Sequence, residues 1–294
     1  MPIYLYFMKA FASNRGINMP KKEKKLSLIS IIVLALFTLI AVGPLFWVFI
    51  SSFKTNREIL ASAFALPTSW DFKGYRAALD LSPLFDFYKN SIFISFISTF
   101  LNLFIVSMSA YVIGRFEFKG RKSLTYMMSS SLLIPTAALM LPVYIIWTKL
   151  GFYDTRLGLI LIYAALGLPT SFFILRSHFM TVPKEIEEAA LMDGAGFCTT
   201  FFQIVLPMVR SGLATAAILQ FLTSWNEFMF ALILTKSKNV RTLPLALNYF
   251  TSQFSFNYTA MFAGIIMVVL PSILIYTILQ EQVTDSMVEG SIKG

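Results

Sequence analysis

Charge is what this chain most lacks: 13% of its 294 residues are Asp, Glu, Lys or Arg, about half the share usual in a soluble globular domain. With 57% hydrophobic residues, that shortage excludes an ordinary soluble protein. Cysteine and histidine are scarcer still, with only Cys198 and His178. One thiol forms no intrachain disulfide, and one Cys with one His is too few soft ligands for zinc, so redox and zinc chemistry are not expected. A basic soluble face is missing too. The net charge of +9 sits in short clusters beside apolar runs, which reads as a topology signal against anionic lipid and not as nucleic-acid binding.

What is present is long, charge-free apolar sequence: Leu26 to Phe53, Asn90 to Gly114, Ser123 to Thr148, Leu157 to Leu175 and Thr242 to Gln280. About 20 such residues cross a bilayer, and the spanning backbone must satisfy its own hydrogen bonds, so these runs are expected to be helices. The fold class is therefore an all-α polytopic membrane protein. Six helices are expected at about 27–52, 89–114, 123–148, 156–177, 208–234 and 260–281. They form a single transmembrane domain, 26–294, behind an N-terminal tail, 1–25. Ile3 to Phe7 is too short for a signal-peptide core and has no small-residue cleavage site after it. Met19-Pro20-Lys21-Lys22 directly before the first span also looks like a natural start, which leaves residues 1–18 open as an upstream extension.

An even number of spans puts both termini on one side. Lys21, Lys22, Lys24 and Lys25 precede the first span, and Arg115, Lys119, Arg121 and Lys122 crowd the short loop after the second. The positive-inside rule then places both termini and the loops after helices 2 and 4 in the cytoplasm. Lys236, Lys238 and Arg241 in the last external loop run mildly against this, but early segments usually dominate orientation. Pro44, Pro135, Pro142, Pro169 and Pro271 fall inside the expected helices. Each tends to kink or interrupt its helix, and five together suit a bundle that changes shape, although proline is common in membrane helices generally.

The loop at about 181–207 has its own helical grammar. Pro183 suits a first turn, Glu185, Glu187 and Glu188 complement the positive end of a helix dipole, and Gly194 and Gly196 are available as helix terminators. A short helix from about Pro183 to Met192 is expected, then a turn and a second helical segment. Ile186, Ala189, Ala190 and Asp193 fall on one face at helical spacing, with Leu191 and Met192 turned to another. Small residues on one side would fit closely into a partner's groove, with Glu188 offering a charge to an arginine there. A helix merely lying on the membrane is disfavoured, because three clustered glutamates are repelled by anionic lipid.

The same loop reads Glu188-Ala189-Ala190, three residues, Gly194, nine residues, then Ile204-Val205-Leu206-Pro207. This resembles, at every marked position, the EAA loop of permease subunits of ATP-binding-cassette importers. Asn90-Ser91, Ala110-Tyr111, Asp193-Gly194-Ala195, Trp225-Asn226-Glu227-Phe228 and the tail Gly290 to Gly294 are similar to the carbohydrate-uptake branch, in particular to the smaller permease of maltose and multiple-sugar systems. The resemblance implies a type I importer permease fold whose coupling helix docks on an ATPase through Glu188, Ala189, Ala190, Asp193, Gly194, Ile204, Leu206 and Pro207. It implies a multi-pass place in a bacterial or archaeal cytoplasmic membrane. The implied partners are a second related permease, two cytoplasmic ATPase subunits, an extracytoplasmic solute-binding protein, lipid and a sugar. ATP and magnesium then belong to the ATPase, leaving this chain no cofactor and no catalytic residue.

The chain's nearest approach to a phosphate loop, Gly114 to Ser123, has its second glycine one residue late and joins two membrane helices, so it is not a nucleotide site. Glu227 is the acidic residue deep in an apolar segment, beside Trp225 and Asn226. The trio suits sugar, by ring stacking and hydroxyl hydrogen bonds, and is a candidate for the transport path or external gate. Its alternative is an interfacial or structural hydrogen bond, since Glu227 falls near the far end of its helix. His178 and Cys198 read as packing residues, and the sequon at Asn257 carries no weight. Two rivals are weighed beside the importer subunit. An autonomous ion-coupled or facilitative transporter would want further charge pairs within its helices, and a membrane sensor would want a sizeable soluble domain. Neither accounts for the Glu-Ala-Ala loop.

Overall fold

The computed structural model describes residues 28–249 and 257–291, and every regular element among them is helical. The expected tail 1–25 and the terminal Ile292-Lys293-Gly294 lie outside the described residues. Two compact units are distinguished, residues 1–47 and 48–294. The described part of the first is the leading portion of α1 (Leu28–Ser51), a charge-free helix that continues through Pro44.

The second unit comprises α2 (Asn56–Ala61), α3 (Lys73–Leu81), α4 (Leu84–Arg115), α5 (Arg121–Ser131), α6 (Met140–Lys149), α7 (Arg156–Leu166), α8 (Leu168–Thr181), α9 (Lys184–Met192), α10 (Arg210–Trp225), α11 (Met229–Leu234) and α12 (Tyr258–Ser291). By length and composition α1, α4 and α12 are each able to cross a membrane. Three bent pairs bring the number of spans among the described residues to as many as six: α5 with Thr136–Lys149, bent by 101°, α7 with α8, by 48°, and Phe197–Met208 with α10, by 78°.

Prolines stand at these bends. Pro135 precedes the 3-10 turn Thr136–Leu139, Pro169 lies in the first turn of α8, and Pro207 precedes the third bend. Pro142 occupies the first turn of α6, where a missing N–H costs little. Pro44 and Pro271 lie inside helices that run on through them, so of the two expected effects, a kink or an interruption, neither proline shows the interruption. The helix expected at 208–234 ends at Trp225 and resumes at Met229, and α4 begins at Leu84, ahead of the expected start.

The central element is α4, which contributes to all three apolar clusters. Leu84 and Phe87 pack with Trp225, Leu243 and Ala263; Ile94 packs with Leu159, Tyr163 and Phe230; Val106, Ala110 and Tyr111 pack with Phe172, Phe179, Phe201 and Val205. Its buried face also carries small polar residues at helical spacing, Asn90, Ser91, Ser95, Ser98 and Asn102. Small side chains let helices approach closely and hydrogen-bond across the interface where lipid provides no hydrophobic drive between them. The Asn90 amide donates to the Arg241 carbonyl at 3.0 Å, Ser91 accepts from the Leu243 N–H at 2.7 Å, and Ser98 pairs with Ser224 at 3.1 Å.

The break between α7 and α8 leaves the last carbonyls of α7 without their in-helix donors. Asn102 donates to the Ala164 carbonyl at 2.8 Å and Gln220 to that of Tyr163 at 2.9 Å. Gly167 sits at this break with the Gln220 carboxamide against its backbone, so a β-carbon there would overlap the amide oxygen.

At the opposite end of α4 from Arg115, Thr55 and Glu58 form a capping box on α2. Glu58 also accepts from the Thr68 N–H at 2.9 Å and from its hydroxyl. These bonds, the Thr68 hydroxyl first and then the Thr55 N–H, hold the exposed Glu58 carboxyl down at about 2, against an ordinary 4.5.

Two outcomes are expected. Gly167→Ala should displace Gln220 and lower stability by about 1–3 kcal/mol, read as a lower unfolding temperature in detergent; an unchanged temperature would show that the break tolerates a β-carbon. Because the folded-state pKa of Glu58 is depressed, its contribution is complete above pH 4.5 and is lost as pH falls toward about 2. The protection factors of the Thr55 and Thr68 amides, exchange measured against the intrinsic rate at the same pH, should therefore fall on acidification across that window in the native chain, and be lower and independent of pH in Glu58→Gln.

Candidate functional site

The Glu-Ala-Ala segment is α9, which begins after the extended Pro183, φ −59° and ψ 139°. It is fastened to the end of α4 by one side chain. Arg115 donates through Nε to Glu187 at 2.8 Å and through Nη1 to the Val182 carbonyl at 2.8 Å. The two charged side chains are 5% and 15% exposed. Truncating one partner of such a buried pair strands the other charge, at a cost of about 3 kcal/mol.

This pair sets which way α9 faces, and it corrects the expected division of its surfaces. Glu187 and Ala190, three residues apart, turn inward together, and Ala190 is buried. Ala189 does not share that side: it lies exposed with Glu188, Asp193, Leu191 (62% exposed) and Met192 (88%). The free surface of α9 is thus acidic and apolar together, with one small residue, Ala189, beside the glutamate.

Gly194 ends the helix in the left-handed region, φ +81°. Its N–H reaches the Leu191 carbonyl at 3.0 Å and the Ala195 N–H reaches that of Ala190 at 2.9 Å, the paired bonds of a Schellman terminus. The chain then turns through Phe197–Thr199 into a wide, π-helical segment, Thr200–Val205. Pro207 has no N–H to give to the turn before it, and wide turns of this kind relieve such interruptions.

Aromatic packing fixes this second half. The Tyr111 ring on α4 lies 4.9 Å from Phe201, 5.5 Å from Phe179, 5.8 Å from Phe197 and 5.5 Å from Phe116, centroid to centroid. Val205 is fully buried, Ile204 and Leu206 are half-buried, and Pro207 is exposed. Of the loop residues singled out by sequence, Glu188, Ala189, Asp193, Gly194 and Pro207 are therefore at the surface, and Ala190, Ile204 and Leu206 face the bundle.

The second candidate group does not form one cluster. Trp225 is buried at the end of α10, stacked on Phe221 at 5.8 Å and near Tyr88 at 6.4 Å. Asn226 is exposed, donating to the Leu222 carbonyl at 2.9 Å and accepting from Ser272 of α12 at 3.0 Å. Glu227 accepts from the N–H groups of Phe230 at 2.8 Å and Ala231 at 3.0 Å. Its carboxylate thus satisfies the first donors of α11, which otherwise have no partner.

Sequence reasoning missed Arg115 and Glu187 as a pair, and Asn102 with Gln220. Arg115 lay in a basic cluster and Glu187 in an acidic one, but nothing local says that residues 72 positions apart meet. His178 lies half-buried in the last turn of α8 with Nδ1 2.9 Å from the Ile174 carbonyl, as a packing residue would.

Comparison with known proteins places these features in a family context. The profile of the family described as "binding-protein-dependent transport system inner membrane component" matches residues 107–287. The diacetylchitobiose uptake system permease protein NgcG of Streptomyces coelicolor is 36% identical over 92% of this chain and 90% of its own length. The arabinooligosaccharides transport system permease protein AraQ of Halalkalibacterium halodurans is 30% identical over 93% and 99% respectively. A chain from the crystal structure of a bacterial ABC transporter involved in importing the acidic polysaccharide alginate superposes with a TM-score of 0.76. It shares 22% identity and covers 90% of this chain and 98% of that one.

Gly194→Ala forces a β-carbon into left-handed backbone and should cost about 1–2 kcal/mol locally. Hydrogen exchange at Gly194 and Ala195 should accelerate in that variant while the amides of α4 keep their protection; loss of protection in both would mean that the whole bundle has been destabilised.

Proposed function

Because the chain belongs to the family of binding-protein-dependent transport system inner membrane components, we propose that it is the permease subunit of an ATP-binding-cassette importer for a sugar, specifically an oligosaccharide. The observation that carries this reading is α9: a short helix held on the end of α4 by Arg115 and Glu187, with Glu188, Ala189, Leu191 and Met192 left outward and without neighbours to bury them. A rigid mount on one side and a charged, apolar face on the other suit a helix that receives force from a partner. The named relatives, with diacetylchitobiose and arabinooligosaccharides in their names, support the sugar class.

On this reading the α9 end of the bundle is cytoplasmic, as the lysines before α1 and the basic residues after α4 favour. Two ATPase subunits lie below, a second permease completes the pore and a solute-binding protein delivers sugar from outside. Closure of the ATPase pair draws α9 inward. Arg115 passes the displacement to α4 and the Tyr111 cluster passes it to α8 and to the π-helical segment, so the half-spans on either side of the bends shift. ATP and magnesium stay on the partner. Glu188 is the charged contact to the ATPase, with Ala189 seating closely beside it; Ala190, Asp193, Gly194, Ile204, Leu206 and Pro207 hold the loop in shape.

Trp225, Asn226 and Glu227 belong to the outer gate by position: Asn226 joins the end of α10 to α12, and Glu227 rebuilds the helix after the break. An autonomous ion-coupled carrier needs a charge free to take a cation, whereas both oxygens of Glu227 already accept backbone N–H groups, which favours the subunit reading.

The test is Glu188→Gln in the native host. Membrane insertion should be normal, sugar uptake should fall about tenfold or more, and the ATPase should be recovered in lower yield with the purified chain. Uptake equal to wild type would remove the coupling role, and wild-type uptake by the chain reconstituted alone without ATP would replace the subunit reading with the autonomous carrier.

A further inference from the structure

Beside the α4–α9 junction lies a cavity of about 530 Å³ whose lining includes Glu117, Arg121, Lys122, Ser123, Tyr126 and Arg176. It brings three cations to one place and only one carboxylate. That carboxylate is already used: Glu117 pairs with Arg121. The rest of the Arg121 fork is occupied as well, its Nε donating to the Ile113 carbonyl at 2.8 Å and its Nη2 to that of Gly114 at 3.3 Å, where they cap the end of α4.

Arg176 and Lys122 are different. Among the described residues neither has a hydrogen-bond or ion-pair partner, and Arg176 is half-buried with its Nε shut off from solvent. Its stem crosses α4 at Gly114, where the lack of a side chain lets the two helices approach. A guanidinium keeps its charge, and Arg176 and Lys122, which no protein group pairs, line the cavity together. Two such cations favour an anion between them.

Its level in the molecule says which anion. The charge-free run of α4 ends at Gly114, so the cavity sits where a membrane-crossing helix leaves the hydrocarbon. On α5 the side chains next to it that point outward, Leu124, Tyr126 and Met127, are apolar or amphipathic and exposed. A cationic pocket bordered by such a surface matches a phosphate group joined to acyl chains.

We propose that this cavity binds the phosphate of an anionic phospholipid headgroup, with Arg176 and Lys122 as its ligands and the acyl chains lying along α5. Arg121 shapes the site by closing the end of α4. Bound lipid would brace the junction from which α9 is hung, since Gly114 and Arg115 are adjacent.

The experiment is native mass spectrometry of the full chain with its co-purifying subunits, in detergent containing equal phosphatidylglycerol and phosphatidylcholine, with inorganic phosphate as a separate arm. The native chain should retain phosphatidylglycerol over phosphatidylcholine. Arg176→Gln should reduce that preference about fivefold, the effect of one charge at a lipid surface, and Lys122→Gln, at an exposed position that the fold does not depend on, should reduce it comparably. Equal retention of the two lipids, or an unchanged preference in the Lys122→Gln chain, would overturn the proposal. Displacement of the lipid by inorganic phosphate at low millimolar concentration would overturn it in favour of a free anion. Lipid retention is measured without transport, so this result stands apart from the fate of the importer reading.

Discussion

The structure depends on one constraint: inside hydrocarbon no backbone N–H or C=O can be left to water, so every interruption of a helix must be repaired by a side chain. The fold has several interruptions, and side chains answer a number of them. Asn102 and Gln220 take the carbonyls left over between α7 and α8. Glu227 takes the N–H groups that open α11. Arg121 and Arg115 take the carbonyls at the end of α4 and before α9. Several of the buried polar residues of this apolar chain are repairs of this kind.

A bundle repaired by side chains is also one that is able to move in parts. A continuous helix transmits displacement along its whole length, whereas a span broken at 48° or 78° and held by two or three hydrogen bonds allows its halves to shift when those bonds exchange. The breaks are not uniform in character. The α7–α8 break is tightly filled, with no room at Gly167 even for a methyl group. The bend before α10 falls at Val209, just past the wide π-helical segment Thr200–Val205 that aromatic packing holds against Tyr111. On the proposed reading this segment follows the helix that meets the ATPase, and the ion pair of Arg115 and Glu187 mounts that helix.

Much of this was legible in the chain. Charge-free runs mark helices of membrane length because hydrocarbon excludes charge, and Gly194 declares a helix end because only glycine takes a left-handed position without strain. Pro135 and Pro169, two of the five prolines read as interrupting helices, stand at bends, where their missing N–H is tolerated. Other features were not legible. The facing of α9 was misjudged because helical spacing groups Ala189 with Ala190 only loosely, and the choice of inward side was made by an arginine far away in sequence. The interruption after Trp225 was hidden because the apolar pattern of the sequence runs across it.

What the sequence by itself determined is the class of the molecule and the outline of its loop: an all-helical chain with apolar helices of membrane length, a short acidic helix near its middle, and the family motif that the helix carries. These follow from local quantities, hydropathy over a span and glycine or proline at a fixed position, which neighbours in space do not alter. What only the tertiary structure decided is which polar residue answers which broken backbone, which face of α9 is free, and that Arg176 and Lys122 share a cavity whose one carboxylate, Glu117, is paired with Arg121. Those are pairings across 57 to 72 residues of chain or groups assembled from separate helices, and their partners are chosen by packing, which no local pattern encodes.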